Sequence, residues 1–186
     1  MIEPDFDSHK IWAEAIQNAV AQVSDEQLAN VANVITQTDL TLTAGNGGSA
    51  ALASHMAQAI LKPDYKSGGG RAAICLTDGV PTWSAHANDG GWDAALAEVA
   101  RPFLDGSLRR TVIIFSSSGR SENVIRLALI AKQFKHSVIA FTGFDGEPLR
   151  SIAHIAIHIN SHDYEVVEPT HCALLHRVQA LLRRVG

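Results

Sequence analysis

The chain has 186 residues, a formal net charge of −4, and 46% apolar against 18% charged residues. A chain of this size buries about 70% of its unfolded surface as one domain, so folding needs neither a disulfide nor a metal. The acidic balance argues against nucleic acid as a direct partner, and no apolar run is long enough to cross a bilayer. The start, Met1-Ile2-Glu3-Pro4-Asp5-Phe6-Asp7, lacks the apolar core of a signal peptide, and Cys75 and Cys172 lie in apolar runs as buried, reduced thiols. A cytoplasmic setting is the expectation.

In chain order, Ile11, Ala15, Ala19, Val20 and Val23 share one face of a first helix. Ser24 and Gln27 form a capping box that opens a second, carrying Leu28, Val31 and Ile35. The strand Leu40-Thr41-Leu42-Thr43-Ala44 enters Gly45-Asn46-Gly47-Gly48-Ser49. A helix with Leu52, Met56, Ala59 and Ile60 follows to about Leu61, stopped by Pro63 and Gly68-Gly69-Gly70. Ala72 to Leu76 reads as a strand, Asp78 to Trp83 as a turn, Asn88-Asp89-Gly90-Gly91 as a break, and Trp92 to about Leu104 as a helix despite Pro102. The strand Val112-Ile113-Ile114-Phe115 enters Ser116-Ser117-Ser118-Gly119-Arg120-Ser121, and a helix runs on to about Phe134. Ser137 to Phe141 and Ile155 to Ile159 are strands on either side of the turn Asp145-Gly146, and a helix from about Pro169, as its first residue, to about Arg184 closes the chain. His154, His158 and His162 recur every four residues, but the isoleucines between them indicate a strand whose polar face the histidines occupy. Strands alternating with helices predict a single α/β domain over residues 1–186, with a largely parallel sheet and the site at its carboxyl edge.

The same device occurs twice: strand, small-residue loop, helix. Such a loop leaves amide N–H groups unsatisfied at the first helical turn, where the helix dipole places partial positive charge, so an anion is the natural guest. The serines of the second loop add donors without bulk and are the candidate phosphate holders. Gly45 to Ala50 also fits the dinucleotide pattern G-x-G-x-x-A, with Asp64 nineteen residues on. Asp64 precedes the next strand rather than ending it, and two helices precede the first strand, so no nucleotide cofactor is expected.

Gly45-Asn46-Gly47-Gly48-Ser49 with His55, then Asn88-Asp89, then Ser116 to Ile125, then Thr142-Gly143-Phe144-Asp145-Gly146, resembles the sugar isomerase (SIS) domain family, closest to its phosphoheptose isomerases. The resemblance implies a flavodoxin-like three-layer sandwich around a five-stranded parallel sheet. It further implies a homotetramer with sites between subunits, assembled in part through the leading helices (residues 1–38), and an aldose-ketose isomerase acting on a substrate such as sedoheptulose 7-phosphate. Ser116, Ser117, Ser118 and Ser121 would hold the phosphate, and Asn46, Gly47, Gly48, Ser49, Asn88, Asp89 and Asn123 would meet the substrate. In those isomerases a histidine and a glutamate four residues later, with a glutamine and a histidine eight residues apart on the last helix, surround a zinc ion. The histidines fall on His55 and His176, the glutamate on Ala59 and the glutamine on Glu168. Two readings follow. In one, His55, Glu168 and His176 hold the metal, joined at most by His171, while His176 and Glu168, with Glu165 as a substitute, move protons. In the other, the chain binds a sugar phosphate or a protein partner without catalysis, as resembles the initiator-associating SIS protein of bacterial replication, which also lacks that glutamate.

Overall fold

The computed structural model describes residues 9–62 and 70–185, so Asp64, Pro63, Gly68 and Gly69 lie outside the described residues. Helices α1 (His9–Val20) and α2 (Asp25–Thr36) lead into β1 (Leu40–Gly45), α3 (Gly48–Leu61) and β2 (Ala73–Cys75). Then come α4 (Val80–Gly90), α5 (Trp92–Leu104), β3 (Arg110–Ser116), α6 (Glu122–Gln133), β4 (Ser137–Thr142), α7 (Leu149–Ile152), β5 (Ile155–His158) and α8 (Tyr164–Val185). The five strands pair in parallel in the order β2-β1-β3-β4-β5, the doubly wound arrangement the alternation predicted.

Each central strand is buried on both sides, as a parallel sheet between two helical layers requires. Ile113 and Phe115 of β3 with Ile139 and Phe141 of β4 face α2, α3 and α8; Val112, Ile114, Val138 and Ala140 face α5 and α6. The Phe115 and Phe141 rings stack at 4.6 Å. The threonines of β1 fit the same rule, because the buried Thr43 hydroxyl donates to Ala53 O at 2.7 Å and so costs no unpaired polar group. The capping box of α2 is present in both directions, Gln27 N to Ser24 Oγ and Ser24 N to Gln27 Oε1.

Two elements differ from the sequence reading. Residues 80–90 form a helix rather than a turn and a break: Pro81 occupies its first turn, Gly91 at φ +86° ends it, and no residue of it is buried, so it carries no apolar period to detect. The closing helix begins at Tyr164, and Pro169 lies inside it rather than at its first position. A proline there denies Glu165 O its intrahelical donor. Trp12 Nε1 on α1 supplies one instead, at 3.0 Å, which also fastens the leading helix to α8. Of the recurring histidines, the exposed His154 just before β5 accepts from Val138 N at 2.9 Å through Nδ1, and the half-buried His158 on β5 places Nδ1 3.1 Å from Thr142 Oγ1. Among the described residues no helix is long and apolar enough to cross a membrane.

Candidate active site

The sheet order reverses between β1 and β3, so the loops following these neighbouring strands open into one crevice. Gly45 ends β1 where a Cβ would come within 2.4 Å of Ser49 O, and Gly47 caps α3 at φ +54°, so both positions require glycine. Asn46 and Asn123 exchange two amide hydrogen bonds of 2.9 Å, joining the Gly-rich loop to the first turn of α6. Asn123 Oδ1 also accepts from Val124 N at 2.9 Å. These carboxamides therefore set the spacing of the two loops.

The serine loop is braced from β4. Gly143 N donates to Ser117 O at 2.8 Å, and Gly119, at φ +68°, passes so close to Gly146 that a Cβ would sit 2.1 Å from its carbonyl oxygen. Arg120 pairs with Asp145 on the following loop. Within the loop, Ser116 Oγ accepts from Gly119 N and Ser118 Oγ from Arg120 N. Two hydroxyls stay uncommitted among the described residues: Ser121 caps α6 without a side-chain bond, and Ser117 Oγ is buried with no partner there. A buried orphan hydroxyl is costly unless a ligand takes it. Together with the free amides of the first turn of α6, it suits an anion.

On the other side of the crevice, α3 and α8 bring His55, Cys172 and His176 together, one donor atom of each lying within 4.8 Å of the others. The imidazoles of His55 and His176 meet edge to face at 4.7 Å. Burial, and then the neighbouring His176 ring, hold the His55 pKa below its ordinary value, so the ring is neutral near pH 7 and offers a lone pair. His176 Nδ1 faces Gln179 Oε1 at 3.3 Å, which leaves Nε2 for a cation.

Glu168 does not join this group. Its carboxylate lies over the start of α3, where a Cβ on Gly48 would come 2.4 Å from Oε2, so of the expected trio the structure brings together His55 and His176, with Cys172 beside them in place of Glu168. Cys172 is also half-buried rather than buried. Glu168, Glu165 and Cys172 line a cleft of about 500 Å³ with Trp12, Leu52 and Tyr164. His171 stands apart from this group, fully buried edge-on against the stacked Phe115 and Phe141 rings with Nε2 at 3.2 Å from Thr142 O. Asn88 and Asp89 bond each other on the exposed last turn of α4 and do not line the small cavity that Trp83 shares with the Gly-rich loop. Ala59 is completely buried, so α3 offers no carboxylate beside His55. Sequence reasoning missed Cys172. The available signal was its position four residues after Glu168 and four before His176, a single stripe once the helix extends N-terminal to Pro169.

Residues 9–143 match the family model described as SIS domain. The chain is 30% identical to a phosphoheptose isomerase of Aquifex aeolicus over 90% of each chain. It is 37% identical to the lincomycin biosynthesis protein LmbN of Streptomyces lincolnensis over 64% of this chain, spanning 45% of that protein. The solved phosphoheptose isomerase of Neisseria gonorrhoeae superposes with a TM-score of 0.83 at 25% identity, covering 94% of this chain and 96% of that one. The chain therefore belongs to the SIS domain family.

Proposed function

We propose that the chain is an aldose-ketose isomerase of sugar phosphates, of the phosphoheptose type, with sedoheptulose 7-phosphate as the first substrate to test. The observation that carries this reading is the continuity of the crevice: Glu168 over Gly48, Gly48 beside Asn46, and Asn46 bonded to Asn123 where the serine loop enters α6. A phosphate held by Ser117, Ser118, Ser121 and the α6 amides lays the sugar toward α3 and α8. The reaction removes a proton from the carbon beside the carbonyl and returns it to the former carbonyl carbon, while the hydroxyl proton passes in the same direction, from the hydroxyl oxygen to the former carbonyl oxygen. One carboxylate within reach of both carbons suffices as the carrier. Glu168 has that place, with Glu165 one turn earlier on the same cleft as the second acid or base.

The two imidazoles suit a divalent metal, zinc above all. Tetrahedral zinc sets its ligand atoms about 3.6 Å apart, a small side-chain adjustment from what α3 and α8 present. Bound there, such an ion supplies Lewis acidity to the carbonyl and enediolate oxygens. The exposed Tyr164 of α8, lining the cleft beside Trp12 of α1, supports a tetramer whose copies cover that apolar edge, and the two free thiols support a cytoplasmic setting. A non-catalytic, partner-binding role draws on Ala59 alone, and Glu168 provides the carboxylate that Ala59 lacks.

The test is conversion of sedoheptulose 7-phosphate, with Glu168→Gln and Ser118→Ala alongside. Turnover lost in Glu168→Gln and weakened through KM in Ser118→Ala supports the reading. Absence of turnover with every heptose, hexose and pentose phosphate refutes it.

A further inference from the structure

We infer that Cys172, as a thiolate, is the third ligand of the metal centre, so that this chain builds a two-histidine, one-cysteine site and keeps Glu168 off the metal. The inference rests on the isomerase reading and deepens it. Two histidines from two helices leave a divalent ion short of the three protein ligands an open catalytic site carries. On α3 the side chain one turn beyond His55 is Ala59, wholly buried and without a donor atom. On α8 the side chain one turn before His176 is Cys172, half-buried, with its sulfur within 4.8 Å of a ring nitrogen of both histidines. The other thiol is not a competitor, because Cys75 is buried on the edge strand β2 with Sγ 3.1 Å from Thr77 Oγ1.

The chemistry of the trio is selective. Two imidazoles and a thiolate suit zinc or cobalt and disfavour magnesium, manganese or calcium, which prefer oxygen. On binding, the sulfur gives its proton to solvent and takes the metal in its place, and one coordination position remains for a substrate oxygen. The carboxylate of Glu168, held over Gly48, is then free to carry a proton instead of being consumed as a ligand.

The test uses the full chain, stripped with a chelator and titrated with Co²⁺ alone. The expected result is one ion per chain, with tetrahedral visible bands and a thiolate-to-cobalt charge-transfer band in the near ultraviolet. Cys75→Ser keeps that band and Cys172→Ser loses it. Zn²⁺ affinity falls about a hundredfold or more in Cys172→Ser, since even an outer-sphere partner is worth about 10–100-fold. Should Cys172→Ser fail to fold, alkylation of the wild type decides: bound zinc shields Cys172 from iodoacetamide, as read by mass spectrometry. A wild-type cobalt spectrum without the band, a band that survives Cys172→Ser, no binding of Co²⁺, or no shielding overturns the assignment. Turnover of sugar phosphate by metal-loaded protein lacking the band sinks the cysteine ligand alone. The band without turnover on any sugar phosphate sinks the isomerase reading alone.

Discussion

His171 allows a quantitative prediction about acid stability. Its ring lies in the core against the stacked Phe115 and Phe141 rings, and Nε2–H donates to Thr142 O while Nδ1 has no partner among the described residues. Protonation would place an N–H and a positive charge where nothing accepts either, so burial drives the pKa from 6.5 to about 4. The unfolded chain takes up this proton near pH 6.5 and the folded chain does not until about pH 4. The contribution to stability is therefore complete above pH 6.5 and is lost as pH falls from 6.5 to 4, at about 1.4 kcal/mol per pH unit and about 3 kcal/mol in all. His171→Leu removes the titrating group with similar volume. It leaves no orphan carbonyl, because Thr142 O also accepts from Ile159 N at 2.8 Å. Urea unfolding of metal-free wild type and His171→Leu from pH 7.5 to pH 4 should show the wild type losing about 3 kcal/mol more than the variant. Parallel curves, or an imidazole resonance of His171 titrating near 6.5 in the native protein, would refute the reasoning.

Ser117→Ala separates binding from folding. Removing a buried hydroxyl with no partner should leave the melting temperature unchanged or raised, while phosphate affinity measured by calorimetry falls about tenfold or more, the worth of a hydrogen bond to an anion. Gly119→Ala forces a Cβ against Gly146 O at a left-handed φ, so it should cost about 1–2 kcal/mol or more in thermal unfolding and abolish phosphate binding with it. Gly48→Ala meets only the movable end of Glu168; we expect less than about 1 kcal/mol of destabilisation but a marked drop in kcat, and a kcat equal to wild type would remove Glu168 from the chemistry. Trp12→Phe withdraws the indole donor from Glu165 O and should cost about 1 kcal/mol in denaturant unfolding, with a variant as stable as wild type arguing against that fastening.

Much of this molecule was written in local sequence. Runs such as Val112-Ile113-Ile114-Phe115 are short, rich in β-branched residues and apolar on both alternating faces, as a strand covered on both sides is, and the glycines after β1 and the serines after β3 announce tight turns into helices with spare amides. Ser24 and Gln27 set the start of α2 by bonds spanning three residues. Such features are decided within a few positions, so the parallel sheet and the anion loops could be read without coordinates. The remainder depended on contacts between distant segments. That Glu165 O, orphaned by Pro169 within α8, still has a donor depends on Trp12, more than a hundred and fifty residues away. That Cys172 rather than Glu168 stands with His55 and His176 follows from how α8 lies against α3, which swings the carboxylate over Gly48 and the thiol toward the imidazoles. Backbone preference and hydrophobic period act along the chain, whereas the choice of which side chains meet is made by packing between helices, and only the folded arrangement contains it.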